Sequence, residues 1–341
     1  FHSVTGMIKQ LSTVNGNTKV PEMIVVGIPN TNRGRDLSPT QVDIDFFTGD
    51  SLPFASGGGD KFLDFIEKEL IPHVEKNSPT TPYRTFIGHS FGGLSVLDAL
   101  KTRPDLFNNY IAIDPSLWWD QGNYLKSLDS VVTNSQYKNK NLYVGVANTL
   151  SKDMSFESVQ NDTARASFHI RSIINFVNAM ENKQENGLEV DWKYYKDDTH
   201  GSAPLITTYD AFRFIFPWYD MDFLEDFYDP DMNKPADELI ALIKDHYVEV
   251  SEHLGYKVLP SERFVNEMGY GFMNNKINYS HALLQMNVQN YPESSNVYDS
   301  MGDCYLAEKD SVKALEYFNK GAEMNNPFSR EKAEMLKEKL E

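Results

Sequence analysis

One cysteine in 341 residues, Cys304, excludes an internal disulfide and a Cys-rich metal site. It reads as a small buried hydrophobe on a helix. No run of about eighteen apolar residues is present, so no transmembrane helix is expected. Positive charge is scarce: 32 Lys and Arg against 49 Asp and Glu leave a net charge of −17. That balance argues against nucleic acid or an anionic membrane as the main partner. No signal peptide is visible, and the chain opens Phe1-His2 without a methionine, which predicts a missing upstream segment. Cytoplasm and periplasm both remain open.

What is present is globular. Hydrophobic residues make up 40% and aromatics 13%, which fits a proper core, and 341 residues suffice for one large α/β domain with a smaller second one or for two medium domains. Thr85 to Ile87 is a β-branched and aromatic run of buried-strand type. Gly88-His89-Ser90-Phe91-Gly92 follows, matching G-x-S-x-G, and helical apolar spacing begins at Gly93. Strand, tight turn and helix are the context in which that motif presents a nucleophilic serine. Side chains at Gly88 or Gly92 are expected to collide with the neighbouring strand and helix.

Further strands are read at Met23 to Ile28, Tyr110 to Ile113, Leu142 to Val146 and Val190 to Tyr195. Helical patterns lie between them, which predicts a doubly wound, mostly parallel sheet of α/β class. In such a sheet the site forms at the strand C-termini, so the loop Pro29 to Pro39 should lie beside Ser90. Asp220 to Asp231 is acidic and turn-rich, a linker pattern, and strand signals cease after Pro235. The expected division is a catalytic domain over 1–222 and an all-helical one over 223–341. In the second, Met268-Gly269-x-x-Phe272 recurs as Met301-Gly302-x-x-Tyr305, a period of 33 residues (Met268 to Met301). This resembles tetratricopeptide repeats, a surface for a homodimer or a protein partner.

A serine nucleophile needs a base late in the chain, on a loop at the same sheet edge. Of eight histidines, His2, His73 and His89 precede Ser90. His169 falls inside a helix pattern, and His246, His253 and His281 lie in the helical part. His200 alone follows a sheet strand, with Gly201-Ser202 permitting a tight turn. The acid should follow the strand Leu142 to Val146. Asp162 ranks first there, with Asp153 and Glu157 as alternatives, and a dyad oriented by Asn148 or a backbone carbonyl is a further option. The N–H of Phe91 is the expected oxyanion donor. A second donor normally comes from a strand that residues 1–22 do not supply. Arg33 and Arg35 are read as a substrate-anion site or as ion pairs with Asp36 or Asp43. Trp118 and Trp119 are candidate pocket walls, at least one of them core.

At Gly88-His89-Ser90-Phe91-Gly92-Gly93, Ile113-Asp114-Pro115-Ser116-Leu117-Trp118-Trp119 and Thr199-His200-Gly201-Ser202 the chain resembles the putative-esterase family of α/β-hydrolases. That family includes esterase D and siderophore esterases that open trilactones. The resemblance implies Ser90 as nucleophile, His200 as base, a small-molecule ester substrate and no cofactor or metal. Some siderophore esterases resemble a Ser-His dyad, which keeps that option open. The alternative is a catalytically weak scaffold protein on a hydrolase fold, acting through its helical repeats.

Overall fold

The computed structural model describes residues 1–12, 19–133, 137–182, 185–229 and 234–340. The chain divides into two compact units, Phe1–Asp220 and Met221–Glu341.

In the first unit, β1 (Thr85–His89), β2 (Asn109–Ile113), β3 (Lys140–Ala147) and β4 (Leu188–Tyr195) form a parallel sheet in sequential order. β2 is buried throughout and β3 over Leu142–Ala147. Such strands are uniformly apolar because helices cover both faces. On one face Tyr110, Ala112, Leu142, Val144 and Val146 share a core with Leu94 and Leu97 of the elbow helix (Phe91–Thr102). Ile170, Ile173 and Val177 of the helix Phe168–Glu181 complete it. Alternate residues of β3 point the other way: Tyr143 stacks near Phe214, and Gly145 lies against Thr207 of the helix Ala203–Ile215. A Cβ at Gly145 would come within 2.4 Å of the Thr207 methyl, so only glycine lets that helix lie so close to β3.

Met23 to Ile28 departs from its reading as a buried strand. The segment forms no regular element and joins no ladder among the described residues, and Ile24 and Val26 are 52% and 44% exposed. A continuous apolar run signals extended chain without naming a partner, and pairing alone makes it a sheet strand. β1 is accordingly half-buried rather than buried. Ahead of β1 the chain is helical over Gly59–Phe65 and Ile71–Asn77, joined by a π-helical segment at Ile66–Leu70.

The second unit is helical among its described residues. Leu224–Tyr228, inside the stretch read as linker, is a short helix whose Phe227 is fully buried with Leu239, Ile243 and Leu283. Residues 230–233 of that stretch lie outside the described residues. The longer helices are Ala236–Leu254, Glu262–Phe272, Ile277–Asn290, Ser295–Ala307, Ser311–Glu323 and Pro327–Leu340. Gly269 abuts Leu284, and Gly302 abuts Phe318, so a glycine in one helix admits a bulky side chain from the next in both pairs. Cys304 is buried, and burial pushes its thiol up to about 11. Among the described residues no helix is long and apolar enough to cross a membrane.

Candidate active site

Ser90 sits between β1 and the elbow helix with φ 61° and ψ −116°. A non-glycine residue there is strained, and such strain persists only where the surroundings enforce it. The enforcement is visible: Ser90 N–H donates to Ile113 O at 3.0 Å, and Ser90 O accepts from Leu94 and Ser116 N–H. A Cβ on Gly88 would meet Gly92 O at 2.1 Å, which explains the first glycine of the motif. Gly92 does not behave as expected, because a Cβ there meets nothing within 4 Å. The steric demand falls instead on Gly93, whose Cβ would touch Pro115 at 3.0 Å. Ser90 Oγ lies 3.3 Å from Ser116 Oγ.

His200 follows β4 in a tight turn, and its Nδ1 lies 2.5 Å from Asp114 Oδ2. Asp114 directly follows β2 and, like Ser90, has a positive φ of 42°. Its carboxylate is completely buried. Oδ1 accepts Ala147 N–H at 3.0 Å, while Oδ2 also lies 2.9 Å from His169 Nε2. Burial works to raise the Asp114 pKa, but the hydrogen bonds from His169 and His200, the electrostatic pull of the His169 ring and the Ala147 N–H outweigh it. They hold the carboxyl well below the usual carboxylate range.

The carboxylate that meets His200 is therefore on the loop after β2, and not on the loop after β3 where strand order placed the acid. Asp162 does not face His200; its carboxylate accepts the Ser167 hydroxyl at 2.5 Å, and that bond and neighbouring backbone N–H groups lower its pKa. Asp153 and Glu157 are exposed, and Glu157 lies in the first turn of a short helix capped by Ser155, its carboxylate bonded to its own backbone N–H and to the Ser155 side chain. Asn148 does not orient the imidazole directly. It ties down the loop that carries it, donating from Nδ2 to Lys196 O and from its backbone N–H to Asp198 O, both at 2.7 Å. Strand order alone points to the loop after β3, and the helix pattern sets His169 aside, so neither Asp114 nor His169 is singled out in the sequence. The usable signal was an aspartate immediately after a buried strand beside the elbow strand.

The two arginines divide. Arg35 pairs with Asp36, Nε to Oδ1 at 2.7 Å, as one of the two readings anticipated. Arg33 donates from its guanidinium to His89 O at 3.1 Å, one residue from Ser90, and among the described residues no carboxylate pairs with it. Trp119 is core: it is 1% exposed, and its Nε1 donates to Thr40 Oγ1 at 3.1 Å. Trp118 is half-buried, with ring centroids 5.9 Å from Phe91 and 4.9 Å from Phe47. Phe47, on a turn held by the Ile44–Ser51 bridge, was not singled out in the sequence.

Asp114, His169 and His200 offer three donor atoms within 4.8 Å of one another. Ligands around a zinc ion at about 2.0–2.1 Å would stand well over 3 Å apart in a tetrahedron. The observed 2.5 and 2.9 Å spacings are those of hydrogen bonds to one oxygen.

The family described as putative esterase matches residues 5–194 of this chain. The ferri-bacillibactin esterase BesA of Bacillus subtilis is 30% identical over 159 residues, 46% of this chain and 52% of that protein. The siderophore triacetylfusarinine C esterase of Aspergillus fumigatus is 38% identical over 100 residues, 29% of this chain and 34% of that protein. This chain thus spans from about a third to about half the length of these relatives. Among solved structures, an IroE-like serine hydrolase from Shewanella oneidensis is 30% identical with a TM-score of 0.68, over 85% of each chain.

Proposed function

This chain belongs to the putative-esterase family and carries an α/β-hydrolase fold, and we propose that it is a serine carboxylic ester hydrolase. Ser90 is the nucleophile, His200 the base, Asp114 the acid and Phe91 N–H an oxyanion donor. The observation that carries this reading is the 2.5 Å contact between His200 Nδ1 and the buried Asp114 Oδ2, at the sheet edge that also presents Ser90.

The chemistry follows from that contact. Asp114 accepts the Nδ1 hydrogen, which leaves the Nε2 lone pair of His200 for the Ser90 hydroxyl. His200 takes that proton as Ser90 Oγ attacks the ester carbonyl. The negative charge on the carbonyl oxygen falls to Phe91 N–H at the start of the elbow helix. His200 gives its proton to the leaving alcohol, and an acyl-Ser90 remains. Water, deprotonated by His200, then attacks the acyl carbon, the carboxylic acid departs, and the proton returns to Ser90.

Siderophore-type esters are the substrate class we assign first, with short-chain acyl esters second. The relatives named for siderophores support it, as do Arg33 without a carboxylate partner beside the elbow and the exposed aromatic edge at Phe47 and Trp118. Asp114 beside His200 supports the enzyme reading over that of a catalytically weak scaffold protein. For the helical unit, the paired contacts Gly269–Leu284 and Gly302–Phe318 support tetratricopeptide-like helix pairs that hold a partner protein or a second copy.

The test is covalent labelling by a fluorophosphonate together with hydrolysis of p-nitrophenyl acetate, butyrate and octanoate. Stoichiometric labelling and turnover, both lost in Ser90→Ala, support the reading. A wild type that labels no more than Ser90→Ala overturns it.

A further inference from the structure

We propose that His169 is a positioning residue for ester hydrolysis, sharing Asp114 Oδ2 with His200 and thereby setting how firmly that carboxylate holds the catalytic imidazole. This rests on the assignment of Ser90, His200 and Asp114 above.

A carboxylate with no exposed surface needs donors, because a buried charge without them is costly. Asp114 has a backbone donor on Oδ1, from Ala147, and two imidazole donors on Oδ2. Those two imidazoles differ. The His200 side chain is 42% exposed and must exchange a proton in every cycle, whereas that of His169 is 14% exposed on the first turn of the helix Phe168–Glu181. His169 Nδ1 is buried without a hydrogen-bond partner. A hydrogen there would be a donor without an acceptor, so the ring carries its hydrogen on Nε2 and gives it to Asp114. His169 is therefore the fixed donor. Together with Ala147 N–H it clamps both carboxylate oxygens, so Oδ2 already faces His200 when the imidazolium forms.

Sharing also has an electrostatic consequence. Two N–H groups on one oxygen divide its negative charge, so His169 weakens the hold of Asp114 on the His200 proton. The other groups facing His200 do not duplicate this. His89 of β1 stacks on it at 4.4 Å, its own pKa lowered by burial and then by the His200 charge, with Arg33 adding a smaller push in the same direction. Asp198, on the His200 loop, accepts the Ser202 hydroxyl.

The experiment compares wild type with His169→Ala, His169→Leu and His169→Gln in the full chain. Glutamine places an amide N–H near the Nε2 position and does not titrate. Loss of the donor should lower kcat by roughly 10- to 100-fold, with KM changed less than about 3-fold. With Oδ2 undivided, the acid limb of kcat/KM should move to higher pH in His169→Ala, and His169→Gln should restore both rate and profile. Wild-type kcat with an unmoved acid limb in His169→Ala overturns the proposal. So does a His169→Gln enzyme as slow as His169→Leu, a comparison that decides the matter even if the alanine variant fails to fold. Fluorophosphonate labelling separates the two levels. A labelled wild type with His169→Ala labelling at the same rate removes only the role of His169, whereas an unlabelled wild type removes the esterase reading and this role with it.

Discussion

Two neighbouring loops at the same sheet edge offer carboxylates to His200, and they treat them in opposite ways. After β2, Asp114 is alone, fully buried, bent to a positive φ and gripped by Ala147, His169 and His200. After β3, Asp153, Glu157 and Asp162 lie on a polar loop, and the bonds of Glu157 and Asp162 are to near neighbours in sequence. Number of carboxylates is thus no guide to which loop holds the acid. A carboxylate that serves an imidazole has to be desolvated and held still, and only the β2 loop, wedged between β1 and β3, does both.

The comparison breaks most sharply by mutation of its two candidates. Asp114→Asn should lower kcat on p-nitrophenyl esters by about 10³- to 10⁴-fold, since His200 loses the acceptor that selects its tautomer. Stopped-flow or steady-state kinetics reads this directly, and a loss below tenfold would return the question to the β3 loop. The next effect is on stability. The Asp114 pKa is depressed on folding, so its contribution is present above the unfolded carboxylate value of about 3.9 and disappears as pH falls through the folded value. The gap in denaturant midpoint between wild type and Asp114→Asn should therefore be widest near neutral pH and narrow in acid below pH 4.

A smaller effect is expected on the substrate side. Arg33→Ala should raise KM for an anionic ester by roughly 3- to 10-fold, an effect that shrinks with added salt, and should leave a neutral acetate ester within about 2-fold. Equal effects on both esters would assign Arg33 to holding the His89 backbone alone. Smallest of all is Asp162→Asn, for which activity should stay within about 2-fold and the denaturant midpoint should barely move, because this carboxylate gives up only a local bond to Ser167.

Much of this was legible in the residues. The strand-turn-helix around Ser90 is written in local composition, and β2, β3 and β4 emerge as apolar runs within two residues of their observed limits. His200 stood out because a histidine after a late strand has few competitors. Asp114 does not stand out in the sequence, because strand order points to the loop after β3 and nothing local marks Asp114-Pro115-Ser116 as facing His200. His169 was missed for a different reason. A histidine on the buried side of a helix looks the same in sequence whether it meets leucine or a carboxylate.

By itself, then, the sequence determined the elbow at Ser90, the turn that carries His200, the α/β class and the change to helices in the C-terminal part, because each depends on contacts within a few residues. Which carboxylate meets the base, which arginine stays unpaired and which tryptophan is core were decided only in the tertiary structure. Those outcomes depend on desolvation and hydrogen-bond geometry across residues such as 114, 147, 169 and 200, whose distance along the chain says nothing of their distance in space.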